Sequence, residues 1–75
     1  MDIPVTFEFE GKQYQGTLSL VSGGAGMWHL YVEGADGKLY FKGQLFKVGD
    51  KWRFASQSGK IDYLGEEFGK IIEGL

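Results

Sequence analysis

Apolar side chains recur at every second position as far as Ser56, and at every third or fourth position from Ile61 onward. A period of two marks a strand with one buried face, and a 3–4 spacing marks a helix with one apolar stripe. That one change of period, late in the chain, commits the fold to a run of strands followed by a single helix. The expected class is α+β: a five-stranded, coiled antiparallel meander sheet packed against one C-terminal amphipathic helix, in a single domain over residues 1–75. The sheet is expected over 3–56 and the helix over about 61–74.

Three turns divide the strands. The first hairpin runs from Ile3 to Glu10, turns at Gly11-Lys12 and returns from Gln13 to Val21. It pairs Phe9 with Tyr14, Phe7 with Gly16 and Val5 with Leu18, and leaves Thr6, Glu8, Gln15 and Thr17 on the opposite face. The second runs from Met27 to Glu33, through Gly34-Ala35-Asp36-Gly37, and back along Lys38 to Val48. Centring its turn on Ala35-Asp36 pairs Leu30 with Phe41 and Trp28 with Gly43. Centring it on Asp36-Gly37 slides the pairing by two residues and keeps the same side chains inward. The third turns at Gly49-Asp50, with Leu45 against Phe54 inside and Phe46 against Arg53 outside. Gly16 and Gly43 fall on inward positions of long strands, where glycine marks a bend or a close approach. The run Gly23-Gly24-Ala25-Gly26 supplies the loop between the second and third strands.

In the helical segment Ile61, Leu64, Phe68, Ile71, Ile72 and Leu75 form one stripe. Asp62, Tyr63, Glu66, Glu67, Lys70 and Glu73 take the opposite arc, with Glu66 and Lys70 at i,i+4. The helix is set from about Gly65, while Ile61 to Leu64 fits either its first turn or a short sixth strand. Gly65 and Gly69 share a flank, and their cost of about 1 kcal/mol each against alanine points to a close approach. A helix of about fourteen residues is roughly 21 Å long and 10–12 Å wide, whereas five strands span about 24 Å. Either the sheet curls around the helix or a partner covers the remainder.

Composition then limits function. The chain has no cysteine and one histidine, which excludes a disulfide framework, a Cys-based zinc site and a multi-His metal site. With 43% hydrophobic residues, it is expected to fold by burial alone, helped by self-association. The net charge of −2 argues against nucleic-acid or membrane binding as a property of the whole surface. No apolar run reaches the ~20 residues of a membrane span, and the N-terminus carries no signal pattern, so the default expected location is cytoplasmic.

Candidate chemistry is sparse. His29 is the one imidazole; Ser19 falls beside it, with no Asp or Glu placed to complete a triad. The glycine run leads into a strand and lacks a following Gly-Lys-Ser/Thr, so it reads as a connection and not a phosphate loop. Glu8 and Glu10 lie one face-spacing apart on a solvated face and read as surface carboxylates. No catalytic, cofactor-binding or metal-binding residue is assigned, and no enzyme activity is expected.

What remains is surface. The predicted outward side chains Met27, His29, Tyr31, Tyr40, Lys42, Phe46 and Arg53 are more aromatic than solvent cover requires, and they form the candidate interaction surface. Lys38, Lys42, Lys51 and Arg53, interleaved with Tyr40 and Phe46, combine cations with aromatic platforms as single-strand nucleic-acid binders do. The layout of sheet followed by helix is similar to the ββββα unit of Pur-type and Whirly-type single-strand binders. The leading expectation is a non-enzymatic interaction or structural domain with a protein partner, foremost a second copy, joined through sheet edges or an incompletely covered face. The alternative is single-stranded nucleic-acid binding by Tyr31, Tyr40, Lys42, Phe46 and Arg53.

Overall fold

The computed structural model describes residues 2–23, 26–56 and 59–74. Five strands follow one another across a single sheet in chain order: β1 (Asp2–Phe9), β2 (Lys12–Leu20), β3 (Trp28–Glu33), β4 (Leu39–Val48) and β5 (Lys51–Ser56). Each is antiparallel to its neighbours. A 3₁₀ turn at Asp62–Leu64 leads into α1 (Gly65–Glu73). The meander and the C-terminal helix are thus both present. Ile61 to Leu64 forms no sixth strand, and α1 is shorter than the segment expected from the stripe. Leu75 lies outside the described residues, as do Gly24 and Ala25 of the glycine run.

The three hairpins compare with expectation in three different ways. At β4–β5 the register is the expected one, with Leu45 opposite Phe54 and Phe46 opposite Arg53. Gly49, at φ 65, supplies the positive angle at the first central turn position, as a type II′ turn requires. At β1–β2 the turn falls on Glu10-Gly11, one residue earlier than expected, and Phe9 pairs with Lys12, Phe7 with Tyr14 and Val5 with Gly16. Both central residues are left-handed, Glu10 at φ 50 and Gly11 at φ 76. That is the type I′ pattern, which favours glycine second. The pairing moves by two residues, so the inward set Ile3, Val5, Phe7 is unchanged.

At β3–β4 the expectation holds on one side of Leu30 and fails on the other. Leu30 pairs with Gly43 and Trp28 with Leu45, as the turn centred on Asp36-Gly37 requires, but nearer the turn Tyr31 pairs with Phe41, Val32 with Tyr40 and Glu33 with Leu39, which belongs to neither register. Lys42 is an extra residue, a β-bulge. One inserted residue breaks the alternation that neither symmetric register could break. Leu39 and Phe41 therefore share the outer face with Tyr31 and Glu33, and Tyr40 sits on the inner side with Val32.

The sheet curls. Phe68, fully buried on α1, meets Phe7 of β1 edge-on at 5.8 Å and Phe54 of β5 at 5.9 Å between ring centroids. Two strands at opposite edges of the sheet touch one ring, which resolves the width mismatch without a partner. Gly16 and Gly43 are where the backbone allows it: a Cβ would lie 2.6 Å from the Tyr31 carbonyl oxygen at Gly16 and 2.5 Å from that of Ala55 at Gly43. They face Val5 and Val32, and Leu30 and Ser56, in place of the rings Phe7 and Trp28 expected. Leu18, Leu30, Leu45 and Leu64 complete the fully buried core.

The C-terminal segment also covers sheet edges. Gly65 rests on β5, where a Cβ would come within 2.9 Å of the Phe54 nitrogen. Asp62 accepts hydrogen bonds from the Ser56 backbone N–H (2.8 Å) and hydroxyl (2.7 Å). On the other edge the Tyr63 hydroxyl donates to the Glu8 carbonyl at 3.3 Å. Pro4 removes a donor from β1, a common way of blunting an edge strand. Gly69 admits the Trp52 indole, and the Trp52 N–H donates to Glu73 at 3.0 Å. Glu73 is also paired with Lys47 at 2.7 Å, so the ion pair at this helix joins it to the sheet and is not the Glu66–Lys70 pair within it.

Candidate interaction surface

The bulge divides the expected surface residues between two sides of the sheet. His29 and Tyr31 of β3 stay on the outer face, where they join Phe41. Ring centroids are 5.0 Å apart for His29–Phe41, 5.9 Å for Tyr31–Phe41 and 6.3 Å for His29–Tyr31, all in edge-on contact. Edge-to-face packing is the favourable geometry for such rings, so the cluster is a preformed platform. Phe46 and Arg53 sit opposite each other at the other end of the same face. Met27 is half-buried just before β3, and its carbonyl accepts a hydrogen bond from the Val21 N–H at 2.9 Å.

Tyr40 and Lys42 leave this surface. The Tyr40 hydroxyl donates to Asp36, and its ring lies over Gly34, where a Cβ would be 2.8 Å from it. Asp36 also accepts from the Lys38 backbone N–H at 3.0 Å. Tyr40 is thus a clasp on the β3–β4 turn. The tyrosine hydrogen bond, followed by the Lys38 backbone, holds the Asp36 carboxyl below its ordinary range, and Asp36 in turn pushes the Tyr40 hydroxyl up. Lys42 lines a cleft on the inner side together with Phe7, Phe9, Tyr14, Val32 and Ile61. The five residues expected to bind single strands are therefore not one surface.

Phe41 and Leu39 were not among the expected outward residues, and both are exposed large apolar groups on this face. Leu39 borders a shallow outer groove with Pro4, Thr6, Gln15, Thr17 and Glu33. The face is also polarised. Glu33 pairs with Leu39 at one end, and Lys51 and Arg53 lie at the other.

Across the same face runs the row Asp2, Ser19, His29 on adjacent strands. These are the residue types of a hydrolytic triad in the wrong order. Catalysis needs the imidazole between hydroxyl and carboxylate. Here Ser19 stands in the middle and donates its hydroxyl to Asp2, while two strand spacings of about 4.8 Å separate Asp2 from His29. The carboxylate that sequence reasoning did not place beside Ser19 is present, but it orients the serine and leaves the histidine to pack on Phe41. Among the described residues no group of three or more His, Asp or Glu side chains gathers as a metal site, and no helix is long and apolar enough to cross a membrane.

Comparison of the chain with protein-family models, with curated proteins and with solved structures finds no match.

Proposed function

We propose that this domain is a non-enzymatic interaction module that self-associates through the outer face of its sheet. The observation that carries the reading is the solvent-facing cluster of His29, Tyr31 and Phe41, extended by Leu39. Phe41 and Leu39 are exposed and His29 and Tyr31 half-buried beside them, and contiguous apolar and aromatic surface of this kind is what interface cores are made of. Charge selects a second copy as the partner. A two-fold axis through the cluster lays the Glu33 end of one sheet over the Arg53 and Lys51 end of the other, so each copy supplies both halves of the complementarity. Sheet-edge pairing has less to support it, because α1 and the Asp62 carboxylate cover β5 and Pro4 interrupts β1.

A standard interface buries about 800 Å² per partner, and the surface of the chain is 5039 Å². Sedimentation at micromolar and at tens of micromolar tests the reading. A dimer is expected at the higher concentration, weakened by salt and by the double substitution Tyr31→Ser with Phe41→Ser. A strict monomer at both concentrations would sink it.

A further inference from the structure

On the inner side of the curled sheet, between the first hairpin, β3, the bulge of β4 and Ile61, lies a cleft. Its volume is about 170 Å³, and its walls are Phe7, Phe9, Tyr14, Val32, Lys42 and Ile61. Three of the six are aromatic. Phe7 and Tyr14 stack at 5.5 Å and Phe9 tilts against Tyr14 at 6.5 Å, so one wall is a preformed ring surface contributed by the first hairpin. Phe7, Val32 and Ile61 are buried, whereas Phe9 and Tyr14 are only half-buried and belong to the fringe of the core. Apolar side chains thus line a space that no side chain of the described residues fills.

Lys42 is the one charged residue in this wall, and it is the extra residue of the β-bulge. Bulges recur where a strand must re-aim a side chain next to a site. Without the insertion, β4 would keep the simple alternation that places residue 42 on the outer face. The Lys42 ammonium has no hydrogen bond or ion pair among the described residues, so it is available to a ligand. No carboxylate shares the wall with it. One cation beside a ring-lined apolar space is recognition chemistry of a definite kind: an apolar body with a single negative charge at one end.

We infer that this cleft is a binding site for a small aromatic monocarboxylate, with its ring between Phe9, Tyr14 and Val32 and its carboxylate on Lys42. Size favours a single ring. An apolar cavity of about 150 Å³ accepts a benzene ring, so one six-membered ring with a short acidic arm fills a cleft of about 170 Å³. The aromatic wall favours a ring over an alkyl chain, because edge and offset contacts between rings add to the area they bury. The site does not depend on the outer face, and it is present in one copy of the chain whether or not that copy pairs with a second.

Titration of the ¹⁵N-labelled full chain with phenylacetate, with its neutral isostere phenylacetamide and with naphthoate tests the assignment. Phenylacetate is expected to shift amides of Phe9, Tyr14, Val32 and Lys42. It should bind about tenfold more tightly than the amide, the worth of one charge-assisted hydrogen bond, and more tightly than naphthoate. Lys42→Met should abolish the preference for the acid and leave affinity for the amide unchanged, and Lys42→Arg should restore it. Lys42 is exposed, so a thermal melt of each variant checks that the fold is intact. Absence of saturable shifts up to tens of millimolar overturns the site. An acid preference that survives Lys42→Met overturns the role of Lys42. Shifts confined to Tyr31 and Phe41 assign the ligand to the outer face and refute the cleft.

Discussion

The two halves of β4 share one backbone and little else. From Gly43 to Phe46 the side chains alternate between buried and half-buried, and Leu45 is fully inaccessible. From Leu39 to Lys42 every residue is exposed, Leu39 to the extent of 55%. The composition of the halves does not explain this, since Leu39-Tyr40-Phe41 is at least as apolar as Gly43-Gln44-Leu45. Coverage does. α1 lies against β5 and part of β4, and the 3₁₀ turn against β5, whereas among the described residues no helix is seen over β4 beyond the bulge. A strand position is buried because something packs on it; apolarity alone only makes it eligible.

Substitutions that act on one half and spare the other sharpen this contrast. The largest effect belongs to Phe68, which ties Phe7 to Phe54 over the covered half. Phe68→Ala should cost about 3–5 kcal/mol in chemical denaturation, much of the roughly 4–11 kcal/mol available to a chain of this length. A loss below about 1 kcal/mol would mean that closure does not run through this ring. Gly69→Ala should come next. Alanine gains about 1 kcal/mol of helix propensity, but its Cβ would lie 2.2 Å from the Trp52 ring, and such overpacking costs typically about 1–3 kcal/mol. The clash should win, and a stabilised variant would show that the helix does not seat on Trp52.

Leu39→Ala, on the uncovered half, should change stability by less than about 0.5 kcal/mol, as surface substitutions usually do. A loss above about 2 kcal/mol, measured the same way, would erase the distinction between the halves. The smallest effect is a pH dependence. Lys47, with the Trp52 N–H, holds the Glu73 carboxyl below its ordinary value of 4.5. A depressed folded-state value stabilises above the unfolded one and is lost as pH falls through the folded one. The melting temperature should therefore fall slightly below about pH 4.5, and Glu73→Gln should remove that component. Both partners are exposed, which keeps the effect small.

The same contrast explains what could be read from the residues alone. The Leu45–Phe54 register and the inward set of β1 were legible because alternation and turn glycines agree there. The first turn was misplaced by one residue because Gly11 suits either central position; Glu10 accepting a left-handed angle has no sequence signal. The bulge at Lys42 was not legible at all. Three consecutive apolar residues carry no alternation to violate, and the need for an extra residue arises from curling the sheet until β1 and β5 reach one ring. With it went the membership of the outer platform, since Phe41 replaces Tyr40 and Lys42. The helix seat was better marked, because Gly65 and Gly69 weaken a helix on one flank unless a neighbour presses close against it.

The placement of the closing segment sets a timetable as well as a shape. Tyr63 bonds back to Glu8 across 55 residues, and Phe68 reaches Phe7 from farther still. Neither contact can form until all five strands have been synthesised. At the usual pace of about 5–20 residues per second, Glu8 waits roughly 3–11 s on the ribosome for its partner to be made. During that interval Phe7, Phe54 and the edge of β5 lack their cover. Distant contacts of this kind also slow folding, so the time in which a nascent chain is open to aggregation or to a chaperone depends on the 3₁₀ turn and the first turn of α1.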